Sequence, residues 1–269
     1  MRNLKQLIKK VIFYREYKRF KTILAYYSKT INQSASWVFA KTENDNFYYA
    51  IQDRNLRDLI SIVSVVTGNE PKIIEAYITE INSNNEISNH IANSWNSDPA
   101  MSDAKVGLAR RVGWYAVVRS SKPQLVVETG VSHGVGALVI CAALEKNSSE
   151  GFPGEYIGTD INPDAGNLIL PRFRKFGRIL VGDSLQTLRF LNQAIDIFIN
   201  DSDHSAAYEG DEYRAVSHLL SPHSIILGDN SHVTDELRNY SYLNGRNYLF
   251  FAEKPEDHWY PGAGIGFSF

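Results

Sequence analysis

The stretch that most constrains this chain is Leu125-Val126-Val127-Glu128-Thr129-Gly130-Val131-Ser132-His133-Gly134-Val135-Gly136. An apolar run ends in an acid, a glycine-punctuated turn follows, and Ala137 to Leu144 has the look of an apolar helix. That is the strand–turn–helix of an open α/β sheet, whose ligand crevice lies at the carboxyl ends of the strands. Glycines permit a tight turn and a close backbone approach where a Cβ would collide. The helix then turns its free N–H groups toward whatever lies in the crevice. Glu128 would stand at the rim. The plainer alternative is an ordinary βα turn in which Ser132 caps the helix.

The glycine spacing is not that of a dinucleotide fingerprint. Glycines fall at 130, 134 and 136, with Ser132 where the second glycine of Gly-x-Gly would stand. This counts against a nicotinamide-cofactor oxidoreductase. An acid before a looser turn suits a cofactor without phosphate, whose cationic part is drawn to a carboxylate.

Composition excludes several other classes. A net charge of −2 argues against nucleic acid bound through a generally basic surface. One cysteine, Cys141, rules out an internal disulfide and a cysteine-based zinc cluster; on the helix after the turn, a small core residue is its expected role. No apolar run is long enough to span a membrane, and charges interrupt every apolar run near the start. A cytoplasmic location is the default expectation.

Charge is unevenly distributed along the chain. Residues 1–29 carry nine basic side chains against the single acid Glu16, a net +8, with apolar residues interleaved at partial helical spacing. Such a basic amphipathic helix can make peripheral contact with an anionic membrane, or pack on its own domain or a partner, as in a homo-oligomer. Helical patterns follow at 55–67 and 71–81, with Pro71 suited to a first helical turn. The polar Asn/Ser-rich stretch 81–86 interrupts them. Residues 103–121 pattern as one amphipathic helix, ended by Lys122-Pro123.

From residue 124 strand-like runs (124–128, 155–160, 178–181, 195–200, 224–227) alternate with helix-like ones (134–146, 163–175, 184–193, 207–220). This alternation means a parallel sheet covered on both faces. After a helix near 234–243, the runs 247–253 and 264–269 are separated only by a loop, so they should pair antiparallel at one edge. Acids recur at successive strand ends: Glu128, Asp160, Asp183, Asp201 with Asp203, and Asp229. One such acid is common; a full series points to a ligand crevice.

With these motifs in place, the sequence over about 105–269 resembles the class I S-adenosylmethionine-dependent methyltransferases. The resemblance implies a Rossmann-like seven-stranded, mostly parallel α/β sheet with a C-terminal antiparallel hairpin. The helical region 1–104 becomes an N-terminal extension, and 105–269 the domain that binds S-adenosyl-L-methionine. Glu128, Gly130, Ser132 and Gly134 match the first motif, beside the methionine part of the cofactor, with serine for the usual middle glycine. Asp160 in Ile157-Gly158-Thr159-Asp160 matches the ribose-binding acid, and a carboxylate can indeed accept from both hydroxyls of a diol. Asp183 and Ser184 match the adenine-binding pair.

The look is closest to the metal-assisted O-methyltransferases of the catechol and macrolide-sugar type. That implies a hard divalent cation, Mg2+, on Asp201, Asp229 and Asn230, and a small-molecule or sugar hydroxyl as acceptor. Asp201 and His204 are then the expected catalytic residues, His204 standing where catechol-type enzymes carry a lysine base. Asp201-Ser202-Asp203-His204 could equally be a helix-capping segment. His232 and His133 are weaker candidates, and Asp257-His258-Trp259-Tyr260 could wall the acceptor pocket or plug the hairpin. A metal-dependent hydroxylase-like or non-methylating relative on the same scaffold is the alternative function.

Overall fold

The computed structural model describes residues 13–40, 49–95 and 107–269. Among the described residues four helices come first: α1 (Tyr14–Val38), α2 (Asp53–Thr67), α3 (Pro71–Asn82) and α4 (Asn85–Trp95). Then follow α5 (Arg111–Ser121), β1 (Leu125–Thr129), α6 (Val135–Ser149), β2 (Glu155–Asp160), β3 (Gly177–Val181), α7 (Ser184–Thr187) and β4 (Ile195–Asn200). The chain closes with α8 (Ala206–Val216), β5 (Leu220–Asp229), α9 (Glu236–Leu243), β6 (Tyr248–Ala252) and β7 (Gly264–Ser268).

The seven strands form one sheet in the order β3-β2-β1-β4-β5-β7-β6. β1 to β5 run parallel, and β7 is antiparallel to both β5 and β6. The expected fold class is therefore present, hairpin included. Alternation along β1 divides the core. Val126 faces a cluster with α2, α3, α5 and α6, while Leu125 and Val127 face a second one with Phe198, Tyr213 and Leu237. α6 lies between the sheet and α5, so Val135 through Leu144 are all buried and the segment is apolar on every side. Cys141 is buried there, as expected of a small core residue.

Several local expectations need revision. Residues 163–175 do not form an α-helix. The amides of Gly166 and Leu168 donate to the carbonyls of Ser132 and His133, so the segment braces the glycine turn and only Pro171–Lys175 coils, as a 3-10 turn. The helix expected over 184–193 stops at Thr187 and tightens into a 3-10 turn, Leu188–Phe190. The helix of 207–220 ends at Val216 and Leu220 joins β5, whose register with β4 shifts around Pro222, a residue with no N–H for a ladder. A helix does form at Asn85–Trp95, where polarity masked it: Asn84 accepts from the Ile87 N–H, and Ile87 and Ile91, one turn apart, are buried.

The helix expected from residue 103 begins at Arg111; 103–106 lie outside the described residues. Ala109 takes φ +49°, and its N–H donates to the Tyr49 carbonyl at 3.0 Å, pinning this segment against the chain near residue 49. α1 has no buried residue. It is tied on by a stack of Trp37 on Trp259 (centroids 4.2 Å) and by Lys29 with Asp257 (3.2 Å). The basic run at 1–12 lies outside the described residues. Among those described, no helix is long and apolar enough to cross a membrane.

Candidate active site

The strand tips of β1 to β4 open onto one cavity of about 550 Å³, within the range of small-molecule sites. Glu128, Gly130, Ser132, Gly134, Asp160, Asp183, Ser184 and Asp201 all line it. At its centre the β1 and β4 tips are pressed together. Asp201 N–H donates to the Thr129 carbonyl at 2.9 Å, and a Cβ on Gly130 would lie 2.0 Å from the Asp201 carbonyl oxygen. Gly130, at φ +82°, is thus required both for its dihedral and for that contact.

Ser132 adopts φ +49°, the left-handed conformation that the family's usual glycine takes at no steric cost. Its N–H donates to Asp160 Oδ2 at 2.7 Å, which offsets the strain. Asp160 Oδ1 accepts from the Asn162 N–H at 2.8 Å. The aspartate at the β2 tip is therefore held by two backbone donors, and its remaining lone pairs are aimed at the crevice. Asp183 caps α7 through the Gln186 N–H and accepts from the Tyr208 hydroxyl at 3.0 Å. Ser184 Oγ meets Tyr208 Oη at 2.8 Å and donates to buried Glu212, which also accepts from Asn200 and Ser202. Burial raises the Glu212 carboxyl above its usual range.

Glu128 is buried and accepts from the Tyr156 hydroxyl. Burial pushes its carboxyl up to about 8, despite that hydrogen bond and the nearby charge of Arg111.

The other half of the site lies under β4 and β5. One ligand atom each from Asp201, His204 and Asp229 lies within 4.8 Å of the others. His204 Nε2 is 3.8 Å from Asp201 Oδ1 and 3.2 Å from the amide nitrogen of Asn230. The Asn230 amide oxygen is buried without a partner. The three residues named as metal ligands thus converge, but Asp229 is already engaged. Arg110 reaches it with Nε on Oδ1 and Nη2 on Oδ2 (2.5 Å). Burial acts to raise the Asp229 carboxyl, but Arg110 outweighs it and holds the group below its usual value. Asp201 is pushed well up, first by burial and then by the charge of Asp229. A divalent ion some 4 Å from this guanidinium would be repelled by roughly 8 kcal/mol at an effective dielectric of about 20. As it stands, the donor set does not fit a metal on Asp229.

Of the other named residues, Asp203 and His133 also line the cavity, while His232 and 258–260 lie outside its lining. Asp203 accepts from the Ser205 N–H at 2.8 Å, as a helix-entry residue does. His232 is exposed with its ring 6.0 Å from Phe250, and His133 is exposed on the glycine turn. His258, Trp259 and Tyr260 cluster with Tyr49 and Trp37. Sequence reasoning did not find Arg110, Arg111, Tyr208, Glu212 or Glu253. A doublet of arginines before the apolar run 112–118 was a readable signal for the first two; nothing local marked the others.

Residues 127–231 match the family described as a methyltransferase domain. Among solved structures, a Klebsiella pneumoniae protein named as an O-methyltransferase aligns over 74% of this chain and 96% of its own, at 14% identity and TM-score 0.55. The O-methyltransferase TomG of Streptomyces achromogenes, involved in tomaymycin synthesis and solved with S-adenosylmethionine, aligns over 70% and 90% at 13% identity and TM-score 0.53. A methyltransferase from Geobacter sulfurreducens aligns over 69% and 90% at 15% identity and TM-score 0.51. No curated protein matches the chain in sequence. These likenesses show the fold, and over residues 127–231, from β1 to just past the β5 tip, the chain is similar to a methyltransferase domain.

Proposed function

We propose that this protein transfers the methyl group of S-adenosyl-L-methionine to a hydroxyl oxygen of a small molecule or sugar. The observation that carries the reading is the single cavity in which Asp160 and Asp183 stand at one end and Asp201 at the other, beside His204. When bound, the cofactor supplies an electrophilic methyl on a positively charged sulfur. Asp160 would accept from the ribose hydroxyls, Asp183 and Ser184 would hold the adenine, and the glycine turn with Glu128 would face the methionine part.

At the far end, His204 would take the proton of the acceptor hydroxyl on its ring nitrogen, with Asp201 steadying the imidazole. Alignment of oxygen, methyl and sulfur is then the remaining demand on the site. Because both oxygens of Asp229 are taken by Arg110, no step in this scheme runs through a divalent cation. O-methylation by TomG, a relative in fold, supports an oxygen acceptor. The exposed basic helix α1 would serve contact with an anionic membrane or a second copy of the chain.

Calorimetric titration with S-adenosylmethionine, S-adenosylhomocysteine and NAD tests the cofactor. Micromolar binding of the first two and none of NAD is expected. Silence toward both S-adenosyl compounds from a folded protein would overturn the proposal. An acceptor screen of phenolic and sugar hydroxyls follows, scored by S-adenosylhomocysteine release with and without His204→Ala.

A further inference from the structure

We infer that Arg110 is the resident cation of the acceptor end, a positioning residue that holds Asp229 where the resemblance would put a divalent metal. The inference deepens the proposed methyl transfer and rests on it for its catalytic meaning. Three features of the molecule carry it.

First, the guanidinium fully engages its target: Nε and Nη2 each meet one oxygen of Asp229. Such a two-pronged pair fixes orientation as well as charge. Second, Arg110 is itself held from the other side. Nη1 donates to Glu253 Oε1 at 3.2 Å and to Tyr49 Oη at 3.3 Å, and Tyr49 in turn donates to Glu253. Arg110, Asp229, Glu253 and Tyr49 are all nearly inaccessible to solvent. Third, the backbone that delivers Arg110 has little freedom to withdraw. Gly107 has no room for a Cβ, which would lie 2.1 Å from the Tyr49 carbonyl oxygen, and the Ala109 N–H is bonded to that same oxygen.

A guanidinium keeps its proton throughout the physiological range, so it offers a fixed positive charge and directed donors without a metal's power to acidify a bound hydroxyl. Deprotonation of the acceptor therefore falls to His204, with Asp201 beside it. Asp229, held by Arg110, sets the position of Asn230 next to it in the chain, and Asn230 contacts His204.

The test is a titration of the full chain with Mn2+, with free ion followed by electron paramagnetic resonance and S-adenosylhomocysteine titrated alongside. Wild type should show no saturable binding below about 1 mM, the weak end of oxygen-ligand cation sites. Arg110→Gln frees Asp229 beside Asp201 and His204. It should bind one Mn2+ at least about tenfold more tightly than wild type, an occupancy that a merely structural role for Arg110 does not predict. The gain should vanish in Arg110→Gln/Asp201→Asn. Stoichiometric micromolar binding by wild type, lost in Asp229→Asn, would overturn the inference; this arm needs no Arg110 variant to fold. A folded Arg110→Gln that stays silent would overturn it too. Failure of S-adenosylhomocysteine to bind would count against the cofactor assignment and leave the Mn2+ result readable.

Discussion

The cavity and the buried cluster beside it, the two ends of the site, use carboxylates in opposite ways. At the β2 and β3 end, Asp160 and Asp183 are partly exposed and held by backbone N–H groups from neighbouring turns. At the β5 end, Asp229 and Glu253 are buried; Arg110, 119 residues before Asp229 in sequence, pairs with Asp229 and donates to Glu253, whose carboxyl burial pushes up to about 7. An acid satisfied by amides has little cost to bear and keeps lone pairs for a ligand. A buried acid that stays charged needs a cation beside it, and removing either member then leaves an uncompensated charge. The first arrangement is suited to binding, and the second fixes geometry.

That contrast can be broken, and the largest effect is expected at the buried end. Asp229→Ala should cost about 3–5 kcal/mol of stability by stranding Arg110, measured by urea unfolding, while S-adenosylhomocysteine affinity in the folded fraction stays nearly unchanged. An equal loss of affinity would mean the two ends act as one unit.

Asp160→Ala should do the reverse. With two charge-assisted hydrogen bonds of roughly 1.5–3 kcal/mol each removed, S-adenosylhomocysteine should bind at least about 100-fold more weakly by calorimetry. Unchanged affinity would remove the ribose assignment.

Glu128 probes the boundary between the ends. Its carboxyl is raised from 4.5 to about 8 in the fold, first by burial. The folded state then holds more protons than the unfolded one between those values, so this group makes stability fall as pH rises through that window. Glu128→Gln should flatten the melting-temperature slope between pH 5 and 8, values inside that window, and should raise the melting temperature most at its alkaline end. A slope identical to wild type would show that Glu128 is not the titrating group.

The smallest effect is expected at Ser132. Relief of its left-handed strain in Ser132→Gly should stabilise the fold by about 0.5–1 kcal/mol. A loss of that size instead would give the serine side chain a contact role at the turn.

The sheet was legible because strand periodicity, glycine turns and strand-end acids are local signals, and all seven strands fall where those signals lie. The short helices were not. Residues 85–95 hide two buried isoleucines among polar neighbours, and 163–175 looked helical until its amides were claimed by the glycine turn. The site divides along the same line. Gly130, Ser132, Asp160 and Asp183 could be named from motif and spacing, since their backbone partners lie in the turns that those motifs create. The place of Asp229 could be named as well, but not its state. Only the tertiary structure brings Arg110 onto it and Tyr49 and Glu253 onto Arg110, from segments up to 204 residues apart. The sequence by itself determined where the carboxylates stand, because a β-strand and its turn are set by near neighbours. The fold decided how each is neutralised, because the charge balance of a buried group depends on whatever distant chain is packed against it.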